Sequence, residues 1–231
     1  MSDTAPAAQP QGGNSGALDA LSVIATIITV AMFLSNSWPL RGVWAARNWG
    51  AQRPAGIFGV LLGTTWWTTY GLIIAQPAVV ICNAVGFVIG CFGAFTFAKF
   101  GSTALDTQHV VKTSAVVVGG SMAMILLIRS GLVLHSEPFQ RRALGLCAAT
   151  ASMLMFGAPL SGAAEIVRRK DASRLSPLVL GLSLTVCLLW TLFGAMLGDA
   201  MIVVPNAGGA VVTVLQVVLF WRYGGGPAPP A

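Results

Sequence analysis

The chain has 231 residues, 55% of them hydrophobic and only 9% charged, a balance that excludes an ordinary soluble domain and places it among membrane proteins. Its formal net charge of +6 does not point to nucleic acid, because the basic residues sit in short segments between apolar runs and form no basic face outside them. The four cysteines (Cys82, Cys91, Cys147 and Cys187) lack CxxC spacing and fall in apolar runs, and His109 and His135 stand alone near run ends. Neither a metal site nor a cofactor is expected, and no nucleophile, base or metal constellation points to an enzyme.

Residues 1–16, rich in Ala, Pro, Gln and Gly and without a basic n-region, read as a disordered tail rather than a signal peptide. About 20 apolar residues cross a bilayer, and seven such segments are expected. The first, 18–40, ends in FLSNSWPL, where Pro39 breaks it. The second and third, 55–75 and 77–98, form a tight helical hairpin. A loop carrying Lys99, Asp106, His109 and Lys112 leads to the fourth, 113–134. After a polar loop over 135–142, the fifth is expected over 143–167 and contains Pro159. The basic loop RRKDASR follows, then the sixth and seventh segments over 177–197 and 200–221. Residues 224–231, GGPAPPA after Gly224, read as a flexible tail. Trp38, Trp44, Trp49 and Trp221 lie at segment ends, where indoles anchor at the membrane interface. With the N-terminus outside, the inner side receives Arg41, Arg47, Arg53, Lys99, Lys112, the RRKDASR cations and Arg222. The outer side receives only Arg129, Arg141 and Arg142, so the positive-inside rule favours that orientation.

The chain repeats itself. Adding 123 to each number carries Pro54 onto Pro177, Trp67 onto Trp190, Thr68 onto Thr191, Tyr70 onto Phe193, Gly71 onto Gly194, Asn83 onto Asn206 and Gly86 onto Gly209, without a gap. Matched Pro, Trp and Asn carry more weight than matched Val in so apolar a chain. Met32-Phe33 also lands on Met155-Phe156, which sets Pro159 opposite Asn36. Three segments reverse the side of the chain, and the fourth restores it. The two repeats therefore run parallel, related by an axis along the membrane normal. The expected architecture is all-α and membrane-integral: seven transmembrane helices as two parallel three-helix repeats, 17–101 and 143–223, joined by a linker helix and its loops, 102–142. Matched residues must then lie at equal depth on opposite sides of the axis. Asn83 and Asn206, each 16 residues after a matched Trp, mark a shared polar cavity. Trp66 precedes Trp67, and only one of the two can face the axis; Trp67 is the one matched to Trp190.

With these residues in hand the chain resembles the SWEET sugar transporters (the MtN3/saliva family) over about residues 20–223. The second repeat carries the resemblance most sharply: FGAPLSGAAEIVRRKDASRLSPL, then WTLFG, then GDAMIVVPNAGGAVVTVLQVVLFWRY. WTTYG and CNAVG in the first repeat are a fainter copy. The resemblance implies alternating access without ion coupling and a sugar as the small-molecule partner. It implies that Asn83 and Asn206 bond sugar hydroxyls while Trp67 and Trp190 hold the ring from either side. It implies hinges at Pro54, Pro159 and Pro177; the fourth hinge falls at Asn36, so that Pro39, one turn on, is the other place for a kink. It implies an outer gate around Tyr70, Gly71, Gly194 and Asp199.

Sugar chemistry fits these types independently. A carboxamide both donates and accepts hydrogen bonds, as hydroxyls require, and an indole face suits the C–H face of a pyranose. Two facing indoles would favour a monosaccharide such as glucose over a disaccharide. A proton-coupled PQ-loop transporter of amino acids would need a titratable group deep in the membrane, and a seven-span retinal receptor would need a lysine in the last segment; neither is present in the sequence. The lipid bilayer is the remaining expected partner, nucleic acid is not one, and a homo-oligomer stays open, as does the choice between plasma and internal membrane.

Overall fold

The structure is a computed structural model that describes residues 12–50, 54–101 and 103–224. Arg53, the first eleven residues of the expected N-terminal tail and residues 225–231 lie outside the described residues. The described residues form helices and no strands: α1 (Gly12–Ser37), α2 (Leu40–Ala46), α3 (Ala55–Ile73), α4 (Pro77–Phe100), α5 (Ala104–Arg129), α6 (Glu137–Met155), α7 (Gly157–Arg169), α8 (Pro177–Leu197) and α9 (Ala200–Tyr223). The fold is the expected seven-span, three-plus-one-plus-three arrangement. Its first repeat is α1–α2, α3 and α4, its linker α5, and its second repeat α6–α7, α8 and α9. Within each repeat the last two helices pair most closely, α3 with α4 and α8 with α9. The seam between repeats is built by α1 against α8 and by α3 against α6, while α5 lies mainly on α3 and α4.

Six of the spans are long and apolar enough to cross a membrane by composition alone among the described residues. The seventh, α3, has 19 residues. Its apolar character is diluted by the run TTWWTTY at 64–70, which faces the interior rather than lipid: Thr64, Thr65, Trp66 and Tyr70 are all buried.

The duplication extends to backbone detail. At the end of α3, Gln76 N–H donates to Gly71 O at 2.9 Å and Ala75 N–H to Leu72 O at 3.3 Å. At the end of α8, 123 residues on, Asp199 N–H donates to Gly194 O at 2.8 Å and Gly198 N–H to Ala195 O at 3.1 Å. Both are Schellman turns, which need a left-handed residue after the helix. Gly198 supplies it at φ 67°, but the first repeat uses Ala75 at φ 53°. The hairpins close tightly because a Cβ on Gly71 would stand 3.0 Å from Val79 and one on Gly194 2.9 Å from Ile202.

Several boundaries differ from those expected. Residues 12–16 are helical, so α1 starts inside the segment read as tail. The linker helix starts at Ala104, not near 113. Thr103 caps it by accepting the Asp106 N–H at 3.1 Å, so the polar stretch with His109 and Lys112 is helix rather than loop. Likewise α6 begins at Glu137, inside the expected loop over 135–142, behind the Ser136 cap and with Pro138 in its first turn.

Pro54 and Pro177 stand at the starts of α3 and α8. Pro159 has no N–H to give the Met155 carbonyl, and the helix breaks there: α6 stops at Met155 and α7 restarts at Gly157. In the first repeat Asn36 remains within α1. The break falls at Trp38-Pro39, and Pro39 leads into α2. Trp49 is not an interfacial anchor, a correction to the expectation above. It is buried in a cluster with Val43, Phe97 and Val110. Trp38 and Trp221 are 65% and 82% exposed, as interfacial indoles should be.

Candidate functional site

One cavity of about 180 Å³ lies on the seam, and α1, α3, α4, α6, α8 and α9 all contribute to it. It brings together the four residues singled out from the repeat, Trp67, Asn83, Trp190 and Asn206. Trp66 points elsewhere and is buried in the apolar core.

Each asparagine is held by its own helix. Asn83 Nδ2 donates to Val79 O at 2.8 Å, and Asn206 Nδ2 donates to Ile202 O at the same distance. A backbone carbonyl can only accept, so each amide is oriented with its nitrogen toward the helix. That leaves the carboxamide oxygen of each, and the second N–H of Asn206, to face a ligand, while Asn83 Nδ2 also donates to Cys82 Sγ at 3.4 Å. Pro205, just before Asn206, is fully buried and lies inside α9, where it removes one backbone donor.

The indoles are held across the seam. Trp67 Nε1 donates to Ser152 Oγ on α6 at 2.8 Å, and Trp190 Nε1 donates to Thr29 Oγ1 on α1 at 2.9 Å. Ser152 is Thr29 moved by 123 residues, so the two bonds are symmetry mates that cross the repeat boundary in opposite senses. Thr29 in turn donates to Ala25 O at 2.7 Å. Each indole also meets an aromatic ring one turn on: Trp67 edge-on to Tyr70 at 5.9 Å and Trp190 edge-on to Phe193 at 5.2 Å. The sequence reading missed Thr29 and Ser152, although both carry a hydroxyl and match at the same spacing as the tryptophans.

Beyond the cavity, toward the hairpin turns, the symmetry stops. Tyr70 Oη donates to Asp199 Oδ2 at 2.7 Å, a buried bond that joins α3 to the start of α9. Arg141 stands 3.6 Å from the same carboxylate oxygen, and Met201 N–H donates to Asp199 Oδ1 at 2.9 Å. The mates of Tyr70 and Asp199 are Phe193 and Gln76, which cannot form the same bond. Gly145 packs under this contact; a Cβ there would lie 2.8 Å from the Tyr70 ring and 2.7 Å from Met201. Of the expected gate residues, Tyr70 and Asp199 meet, whereas Gly71 and Gly194 each pack against the partner helix of their own repeat. Arg141 and Gly145 were not singled out from the sequence.

Fold and site together define a duplicated seven-span membrane protein with a small, neutral-lined cavity on its internal pseudo-symmetry axis, the architecture of a small-solute transporter. A family model described as "Sugar efflux transporter for intercellular exchange" matches residues 19–104 and again 142–227, the second stretch being the first moved by 123 residues. The chain therefore belongs to that family, the SWEET sugar transporters. Among its relatives, "Sugar transporter SWEET1" of Danio rerio is 27% identical over 212 residues, covering 90% of this chain and 92% of the relative. "Sugar transporter SWEET1" of Drosophila pseudoobscura pseudoobscura is 25% identical over 207 residues, covering 90% of each. The fold matches that of a eukaryotic SWEET transporter solved at 3.7 Å, with a TM-score of 0.81 at 19% identity, over 90% of this chain and 96% of that one. The chain is thus a membrane protein of a sugar-transport family.

Proposed function

We propose that the chain is a facilitative, bidirectional uniporter that carries a monosaccharide such as glucose by alternating access. The sugar sits in the central cavity, with its hydroxyls on Asn83 and Asn206 and its ring faces toward Trp67 and Trp190. What supports this most is a single relationship: two Asn and two Trp side chains, matched across the repeats, line one cavity. That cavity, about 180 Å³, is smaller than the roughly 300 Å³ at which pockets begin to take drug-sized ligands, which suits one sugar ring better than two.

The polar lining groups are hydroxyls, carboxamides, indoles and a thiol. Such groups suit a neutral polyol and give a proton no residence, which favours uniport over proton coupling. Without a coupling ion the carrier runs either way, set by the sugar gradient. The Tyr70–Asp199 bond closes the hairpin end of the seam, and access there requires the two repeats to part. The breaks at Pro39 and Pro159, and the proline starts of α3 and α8, are where the helices bend as they do so. The orientation that leaves the basic loops inside puts the hairpin turns and the N-terminus outside or in a lumen, and the C-terminus in the cytoplasm.

The test is counterflow of labelled glucose into proteoliposomes that hold the purified chain and unlabelled glucose, with and without an imposed pH gradient. Uptake that ignores the gradient supports the reading. Concentrative uptake driven by the gradient and abolished by a protonophore revives proton coupling, and glucose-independent behaviour removes the proposed substrate.

A further inference from the structure

A second, larger groove of about 630 Å³ opens on the outer surface of the first repeat, where α1 gives way to α2 beside the end of α4. Leu34, Trp38, Arg41, Trp44 and Phe92 line it. Its position is the membrane interface on the basic side, since Lys99 occupies the last turn of α4 and Arg41 the first turn of α2.

One cation, Arg41, lines the groove, and a second, Lys99, stands against the ring of the lining residue Trp44. The Arg41 guanidinium lies 4.2 Å from the Trp38 ring centre. Lys99 Nζ lies 4.6 Å from the Trp44 ring, 5.4 Å from Phe100 and 6.0 Å from Phe95. Trp44 is itself fixed: its Nε1 donates to Thr96 Oγ1 at 3.1 Å and its ring lies parallel to Phe92. The ion pairs among the described residues join Arg129 to Glu137, Arg141 to Asp199, and Arg168 and Arg169 to Glu165. Arg41 and Lys99 take part in none of them. Among the described residues no carboxylate pairs with their positive charge, which is held at an apolar wall, while Trp38, Leu34 and Phe92 remain 65%, 54% and 45% exposed.

The repeat separates this groove from the transport machinery. Moving by 123 residues preserves the cavity's Trp and Asn pairs. The same move turns Trp38 into Ser161, Arg41 into Ala164, Trp44 into Val167, Phe92 into Leu215 and Phe95 into Val218. Only the Lys99–Phe100 corner has a counterpart, in Arg222 and Tyr223. Symmetry imposed by transport accounts for the cavity and does not account for the groove.

We propose that this groove binds one anionic glycerophospholipid of the leaflet on the basic side. Its phosphate sits between Arg41 and Lys99, and its acyl chains lie along Leu34, Trp38 and Phe92. Charge complementarity selects the headgroup, because basic pockets at that interface attract anionic lipids. The apolar wall, continuous with the membrane-facing side of α1 and α4, selects a lipid over a free phosphate.

The experiment is native mass spectrometry of the full chain in detergent, titrated with phosphatidylglycerol or with phosphatidylcholine of the same acyl chains. The native chain is expected to retain one phosphatidylglycerol in preference to phosphatidylcholine. R41Q/K99Q is expected to lower that preference by about tenfold, in line with the attraction of interfacial cations to anionic lipid. R168Q/R169Q, which removes two cations from the other repeat, leaves it unchanged, as does an excess of inorganic phosphate. Each variant is first shown to be monodisperse and to retain glucose counterflow, and the single R41Q serves where the double variant fails that check. Equal retention of the two lipids by the native chain overturns the proposal. So does a preference that survives in the Arg41 variants, one lost equally in R168Q/R169Q, or displacement of the lipid by inorganic phosphate.

Discussion

The indole of Trp67 reaches out of its own repeat and donates its only hydrogen bond to Ser152 at 2.8 Å, and Trp190 answers by donating to Thr29 at 2.9 Å. The rings that flank the cavity are thus oriented by the opposite repeat, so the shape of the cavity depends on how the repeats are docked. Any rocking of one repeat against the other must disturb both rings at once.

These two hydroxyls should therefore matter for sugar affinity even though they sit behind the indoles. Ser152→Ala and Thr29→Val each remove one hydrogen bond, worth about 0.5–1.5 kcal/mol net. Each is expected to raise the KM for glucose counterflow by about twofold to tenfold while the purified protein stays monodisperse. Trp67→Phe, which keeps a ring and loses the N–H, should resemble Ser152→Ala. An unchanged KM in all three would mean that ring orientation does not limit binding.

The bond between Tyr70 and Asp199 is expected to hold the hairpin end shut. Tyr70→Phe keeps the ring and deletes the donor. Cys82 lines the cavity and is 1% exposed, which makes it a reporter. In a chain with Cys91, Cys147 and Cys187 replaced by alanine, Tyr70→Phe should speed labelling of Cys82 by a small membrane-impermeant thiol reagent applied at the hairpin side. Loss of one hydrogen bond allows an increase of up to about tenfold.

The tight crossing of α3, α4 and α1 rests on Gly86. A Cβ there would stand 2.6 Å from the Phe33 ring and 2.9 Å from Thr64, whereas one on its mate Gly209 meets Cys187 at 2.9 Å and Phe156 at 3.2 Å. Gly86→Ala should lower the thermal unfolding midpoint in detergent, at a cost of about 1–3 kcal/mol. Gly209→Ala should lower it less.

Ala75 offers the opposite case. At φ 53° it occupies a conformation that costs a residue with a Cβ about 1–2 kcal/mol, and its mate Gly198 occupies it freely. Ala75→Gly is expected to raise the unfolding midpoint, and Gly198→Ala to lower it.

The duplication was the most legible feature of the sequence, because Trp, Pro and Asn are rare enough in apolar helices for their spacing to survive as a signal. It led to the parallel repeats and to the residues that share the cavity. It also placed α8 at 177–197, where Ser176 caps the helix and Gly198 ends it. The start of α5 was less legible, because polar residues near a helix end look like loop until the Thr103 cap is recognised. Trp49 was read as an anchor from its place beside arginines. Its backbone N–H is in fact tied to Phe100 O at 2.9 Å, which draws the indole into the cluster. The Tyr70–Asp199 bond has no mate in the duplication, so the repeat could not announce it. Thr29 and Ser152 do have one, but hydroxyls are common in membrane helices and their match carries little weight until the indoles are seen to reach them.

The central claim is that Asn83 and Asn206 hold the sugar, and counterflow of labelled glucose by Asn83→Ala, Asn206→Ala and the native chain in proteoliposomes tests it most directly. Each variant removes the group that both donates to and accepts from a hydroxyl, in a cavity whose indoles are already bonded to the Ser152 and Thr29 hydroxyls. Both variants are expected to reconstitute and unfold with native cooperativity while glucose counterflow falls to near the protein-free background. Normal counterflow by a well-folded Asn206→Ala protein would contradict the account and put the sugar elsewhere.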